Sequence, residues 1–132
     1  MTLRTIIAAL GTFILCAGTG SISLAQEAKG PTQFNVGILG ENNVSFVAPS
    51  AIIIDDRGRV SGISLTVTNH TKKEQGFAID KLRVKEVIKP GETKTIKLSV
   101  TDLDSIGTDQ SVFPYYSHVD QKHIGGLLYI KR

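Results

Sequence analysis

The sequence predicts an all-β protein, a Greek-key antiparallel β-sandwich of about seven to eight strands. Two stretches carry that reading most directly. Ile63, Leu65 and Val67 alternate with Ser64, Thr66 and Thr68, and Ile96, Leu98 and Val100 alternate with Thr95, Lys97 and Ser99. A period of two with β-branched residues marks strands that bury one face. Turn-forming clusters recur between the apolar runs, at residues 55–59, 69–74, 89–92 and 104–109, as short strands require. No stretch has a convincing helical period, and no internal repeat is present.

The N-terminal residues read as a separate element. Arg4 precedes an apolar run over residues 6–18, and Ser23-Leu24-Ala25 supplies a small-residue end. This is the layout of a secretory signal peptide cleaved after Ala25, residues 1–25. Gly11, Thr12 and Gly18 interrupt the run, which falls short of the roughly 20 apolar residues of a membrane-spanning helix. Cys16, the only cysteine, lies inside it, and Phe13-Ile14-Leu15 ahead of it lack the small residue that lipoprotein processing uses. The expected mature protein is periplasmic or secreted, has no membrane span, and holds no thiol or disulfide. Backbone pairing and burial must then hold it together.

Residues 26–33, with Gly30 and Pro31, form a flexible lead-in. Residues 34–132 make one domain of about 100 residues, enough for a modest core. Strands are expected at 34–38, 44–47, 51–54, 61–68, 75–79, 83–88, 93–100, 112–117 and 126–131. Parity along two of them orients polar residues, because successive side chains of a strand face opposite sides. Gln75 shares a face with Phe77 and Ile79 and turns inward. Phe113, Tyr115 and Ser117 share one face; Pro114, Tyr116 and His118 share the other, which places Ser117 inward and His118 outward.

Charge excludes one function class. The chain has 15 basic and 12 acidic residues and no tryptophan, and Arg4 is the only charged residue of the leader. That balance, without aromatic and basic interleaving, gives no footprint for nucleic acid. Asn69-His70-Thr71 and Asn43-Val44-Ser45 match the glycosylation acceptor pattern. Lys81, Arg83 and Lys85 fall on one strand face, either as a dock for an acidic partner or as protection for an exposed edge.

The segment Phe113-Pro114-Tyr115-Tyr116-Ser117-His118-Val119-Asp120-Gln121-Lys122-His123, followed by Gly125 and Gly126, completes a pattern begun by Asn69, Gln75-Gly76-Phe77 and Pro90-Gly91-Glu92-Thr93. The chain here resembles the cupredoxins, in particular small periplasmic domains of the plastocyanin and amicyanin type, over most of residues 34–132. That family's pattern runs Asn, His-x-Phe, Pro-Gly-Glu-Thr and Tyr-x-Cys-x-x-His-x-x-Met. Carried over, the resemblance puts the first histidine ligand on Gln75, the cysteine on Ser117, the second histidine on Asp120 and the axial methionine on His123. A blue copper site needs two imidazoles and a thiolate, so these are vacated copper-ligand positions, and no cofactor is expected.

Two functions of different class follow. One is a non-enzymatic binding or accessory module for a periplasmic protein partner, with Gln75 and Ser117 hydrogen-bonded to each other in the old metal cavity. Its partner surface would use Phe113 and Tyr116, beside Tyr115 and Ile124, and the basic residues Lys81, Arg83 and Lys85. The alternative is copper(II) or zinc handling through His123, Asp120 and His118 or His70, for which electron transfer is the weaker role. A hydrolase triad of Ser117, Asp120 and His118 or His123 has no nucleophile elbow to support it.

Overall fold

The computed structural model describes residues 30–41, 43–106 and 111–132. The predicted leader and residues 26–29 of the lead-in lie outside them. In chain order the elements are β1 (Gln33–Glu41), β2 (Val44–Ala48), β3 (Ala51–Asp55), β4 (Ile63–Asn69), β5 (Gln75–Ile79), β6 (Val84–Ile88), β7 (Thr93–Leu98), α1 (Val100–Ser105), β8 (Val112–Tyr115), β9 (His123–Ile124) and β10 (Gly126–Lys131). Each predicted run contains a strand, and the first strand begins at Gln33, inside the expected lead-in.

The strands form two layers. One sheet has the order β7-β4-β1-β2-β9; the other joins β3-β10-β8 to the β5-β6 hairpin. Ala78 and Tyr116 make that junction by exchanging N–H···O bonds of 2.9 and 3.1 Å. Val36, Ile38, Leu65 and Val67 of the first sheet pack with Phe77, Phe113, Leu128 and Ile130 of the second to form the core. Burial of such alternating inner faces is the main force holding a sandwich together.

Not every pairing is antiparallel as expected: β1 with β4, β3 with β10 and β2 with β9 run parallel. β2 pairs in the first sheet and β3 in the second, so the chain changes sheets between Ala48 and Ala51.

The alternation at 93–100 ends earlier than predicted because Ser99 caps a helix. Its hydroxyl accepts from the Asp102 N–H while the Asp102 carboxylate accepts from the Ser99 N–H, a reciprocal cap. Leu103 of α1 is buried in the core. The Ser-x-x-Asp spacing was the available signal for this helix.

Two expected partner surfaces need correction. Lys81 lies in a 3-10 turn over Asp80–Leu82, Arg83 has a positive φ of 55° and Lys85 is on β6, so the three do not share a strand face. The chain turns where the strand was expected to begin. Phe113 is 0% exposed, because parity with Tyr115 and Ser117 sends it into the core. It offers nothing to a partner, and Tyr115 is buried with it.

Candidate functional site

Five polar side chains meet at one end of the sandwich, each delivered by a different stretch of chain. Ser45 shares the inner face of β2 with Val47, and Gln75 opens β5 on the face of Phe77. Ser117 follows β8 on the face of Tyr115, Asp120 lies in the loop beyond it, and His123 starts β9. Ser45, Gln75 and Ser117 are buried; Asp120 and His123 are partly exposed.

The frame around them is built by backbone locks. Asn69 is buried, its amide donates to the Lys73 and Ile88 carbonyls, and its side-chain oxygen accepts from the Thr71 N–H and hydroxyl. Its main chain bonds Gly91 and Glu92 of the Pro-Gly-Glu-Thr turn. Both amide protons of Asn69 are thus committed to carbonyls inside the folded protein.

The paired glycines have a packing role. A Cβ on Gly126 would lie 2.3 Å from the Tyr115 ring, and one on Gly125 would lie 2.4 Å from the Tyr115 carbonyl. Tyr115 itself donates its hydroxyl to the Pro49 carbonyl, and burial pushes its pKa up to about 12.

The polar groups form one directed chain of hydrogen bonds. The Gly76 N–H donates to Ser117 Oγ at 2.9 Å, and the Ser117 hydroxyl donates to Gln75 Oε1 at 3.1 Å. Gln75 Nε2 donates to Asp120 Oδ2 at 3.3 Å. From the other side Ser45 Oγ donates to the same carboxylate oxygen at 2.6 Å. Ser45 has one proton, so the 2.9 Å contact with His123 Nδ1 requires the ring nitrogen to donate. The 3.5 Å approach of Ser45 Oγ to Gln75 Oε1 is then only proximity.

Electrostatics agree with that assignment. The Ser45 hydroxyl, followed by the Lys122 N–H, holds the Asp120 carboxyl below its ordinary range. Burial pushes the His123 imidazole down, against the pull of Asp120, which favours the neutral ring. Its Nε2 is buried and meets no hydrogen-bond partner among the described residues.

His118 and His70 stand apart from this cluster. The His118 ring lies on Gly76, where an added Cβ would come within 2.5 Å of its Nδ1; the His70 ring borders Gly37. Among the described residues no three His, Cys, Asp or Glu side chains are grouped closely enough to hold a metal ion. Asp120 and His123 thus meet, through Ser45, while the third expected ligand does not join them, since adjacent strand positions turn Ser117 and His118 to opposite sides. No triad forms either: Ser117 donates to an amide, and Ser45, not an imidazole, stands between acid and histidine.

An open groove of about 770 Å³ leads to this cluster, with Ser45, Gln75 and Asp120 in its wall and Lys72, Lys73 and Lys122 around them. Ser45 was not anticipated as a site residue. Its parity with Val47 was the signal that could have placed it inward.

No protein-family model and no curated protein sequence matches the chain. Solved structures do resemble it. A laccase from Pediococcus acidilactici matches with a TM-score of 0.54 and 12% identity over 75% of this chain. A laccase-like multicopper oxidase from Ochrobactrum sp. matches with a TM-score of 0.51 and 12% identity over 75%. The chain spans 26% of the length of each oxidase. A mutant of amicyanin in its Cu(I) form matches with a TM-score of 0.51 and 9% identity, over 77% of this chain and 85% of amicyanin. Two sheets, their order and their shared core therefore give this chain a cupredoxin-like fold.

Proposed function

We propose that this chain is an exported, non-enzymatic binding module on a cupredoxin-like frame, in which a polar network fills the place of type 1 copper. The observation that carries the reading is the closed hydrogen-bond chain from Gly76 through Ser117, Gln75, Asp120 and Ser45 to His123. Copper held in the manner of this fold needs a thiolate and two imidazoles. The four positions carried over by resemblance, Gln75, Ser117, Asp120 and His123, present an amide, a hydroxyl, a carboxylate and one imidazole. The Ser117 hydroxyl stays protonated and is engaged as both donor and acceptor. These donors do not fit type 1 copper. The leader pattern of residues 1–25 supports export, and the partner is a protein of the same compartment.

A second reading rests on one atom. The unpartnered Nε2 of His123, beside an ionised Asp120, supports copper(II) or zinc binding of a non-blue kind. Calorimetric titration of the tag-free protein with copper(II) and with zinc decides between the two. Only weak, unsaturated binding is expected. Stoichiometric tight binding that disappears in His123→Ala would overturn the copper-free reading in favour of metal handling.

A further inference from the structure

Charge is distributed unevenly over the molecule. The described residues hold 13 basic and 10 acidic side chains; residues 80–98 account for six and three of them, and the rest for seven of each. Elsewhere the charges are balanced where they stand. In the groove Lys72, Lys73 and Lys122 share the wall with Glu41, Glu74 and Asp120. At the other end of the sandwich Asp55 holds Arg57 at 2.7 Å, and Asp56 lies in the field of Asp104, Arg132 and Arg59. The positive surplus of the described residues therefore belongs to one stretch, from the turn before β6 to the end of β7.

That stretch forms one lateral edge of the sandwich. β6 and β7 are the outermost strands of their sheets on this side and meet across the seam through Glu86 and Lys94, 3.1 Å apart. Lys85 lies opposite Ala78 on the outer face of the second sheet, and Lys97 opposite Ser64 on the outer face of the first. Lys81 and Arg83 stand where β6 begins, and Lys89 at the turn where it gives way to β7. All five are exposed, and none makes an ion pair among the described residues. The three acids of the stretch are each held by another group. Asp80 accepts from the Tyr116 hydroxyl at 3.0 and 3.1 Å, Glu86 holds Lys94, and Glu92 accepts from the Lys89 N–H at 2.7 Å. Edge protection does not account for the surplus. Lysines guard strand edges against pairing with another chain, yet β3, at the far edge of the sheet that β6 ends, has neither lysine nor proline from Ala51 to Asp55. An uncompensated surplus also costs the folded chain self-repulsion.

We propose that the β6–β7 edge docks an acidic surface of the partner protein. Cations on both outer faces, with a seam between them, suit an occupant that embraces the edge, whereas a flat bilayer meets only one side of it. Complementary potentials across such a contact steer the encounter and fix its orientation. The proposal rests on the accessory-module reading in requiring a partner; the polar network around Ser45 plays no part in it.

A fluorescently labelled oligoglutamate peptide is the probe, its anisotropy followed at low salt, where exposed charges are weakly screened, on the protein expressed from the full chain and purified as the cell processes it. Saturable binding is expected. Lys85→Glu with Lys97→Glu weakens it by about tenfold or more. Lys72→Glu with Lys131→Glu, the same change in net charge at the two balanced places, leaves it within about twofold. Should the edge pair fail to fold by circular dichroism, Lys81→Glu with Lys89→Glu replaces it. Absence of binding, equal weakening by the two pairs, or tighter binding to phosphatidylglycerol vesicles than to the peptide overturns the proposal. None of these outcomes alters the copper and zinc titration, so the copper-free reading stands or falls separately.

Discussion

Ser45 has one hydroxyl proton and stands between an anion and a ring. It gives the proton to Asp120 and accepts from His123, so it couples two ionisable groups that do not otherwise bond. Ser45→Ala removes both links and leaves the buried ring nitrogen without a partner. A loss of about 1–3 kcal/mol is expected, measured as a shift of the urea midpoint at unchanged slope.

The same pair makes stability fall in acid. Asp120 titrates below its ordinary 3.8 in the folded protein, so its contribution is complete above that value and is lost as pH drops through the lower, folded one. His123 titrates below its ordinary 6.5. The unfolded chain therefore takes up that proton first, and stability declines as pH falls beneath 6.5. Urea midpoints from about pH 7 to pH 4 should decrease steadily, and His123→Gln should flatten the upper part of the decline. Gln75 and Ser117 were legible as inward polar groups because parity is local. Their bond to each other was expected and is present; their link through Asp120 to Ser45 and His123 was not legible, since the 78 residues separating Ser45 from His123 are closed only by folding.

At the scale of the element, the strands were legible and their ends were not. Alternation identifies β4, β5 and β7 because a half-buried strand needs it. It said nothing of the Ser99 cap or of β9, whose two residues are too few for any period. The glycine pair shows how an element's neighbours decide a residue's role. Gly126 opens β10 directly beneath the Tyr115 ring, whose hydroxyl is held by Pro49, so the ring has nowhere to move. Gly126→Ala should cost about 1–3 kcal/mol by overpacking, read as a lower melting temperature, while Gly91→Ala, where nothing lies within 4 Å, meets no neighbour and strains only its φ of 74°. Gly125 and Gly126, which follow the pattern of the C-terminal segment, are there for close packing.

For the molecule as a whole, the carried-over positions make a direct prediction. Gln75→His, Ser117→Cys and Asp120→His together, loaded with copper(II), should produce an intense blue charge-transfer band, because the frame would then offer two imidazoles and a thiolate. A colourless product would show that these positions do not superpose on the ligand set of the fold.

By itself the sequence determined a two-layer β architecture, the inward turn of Gln75 and Ser117, and the absence of any cysteine or methionine after residue 16. All of these depend on composition or on neighbours one or two positions away. Only the tertiary structure decided that Lys81, Arg83 and Lys85 do not form a stripe and that Ser45 joins Asp120 to His123. Those facts depend on which strands lie side by side, and the register that sets this comes from packing across the sandwich and not from local preference.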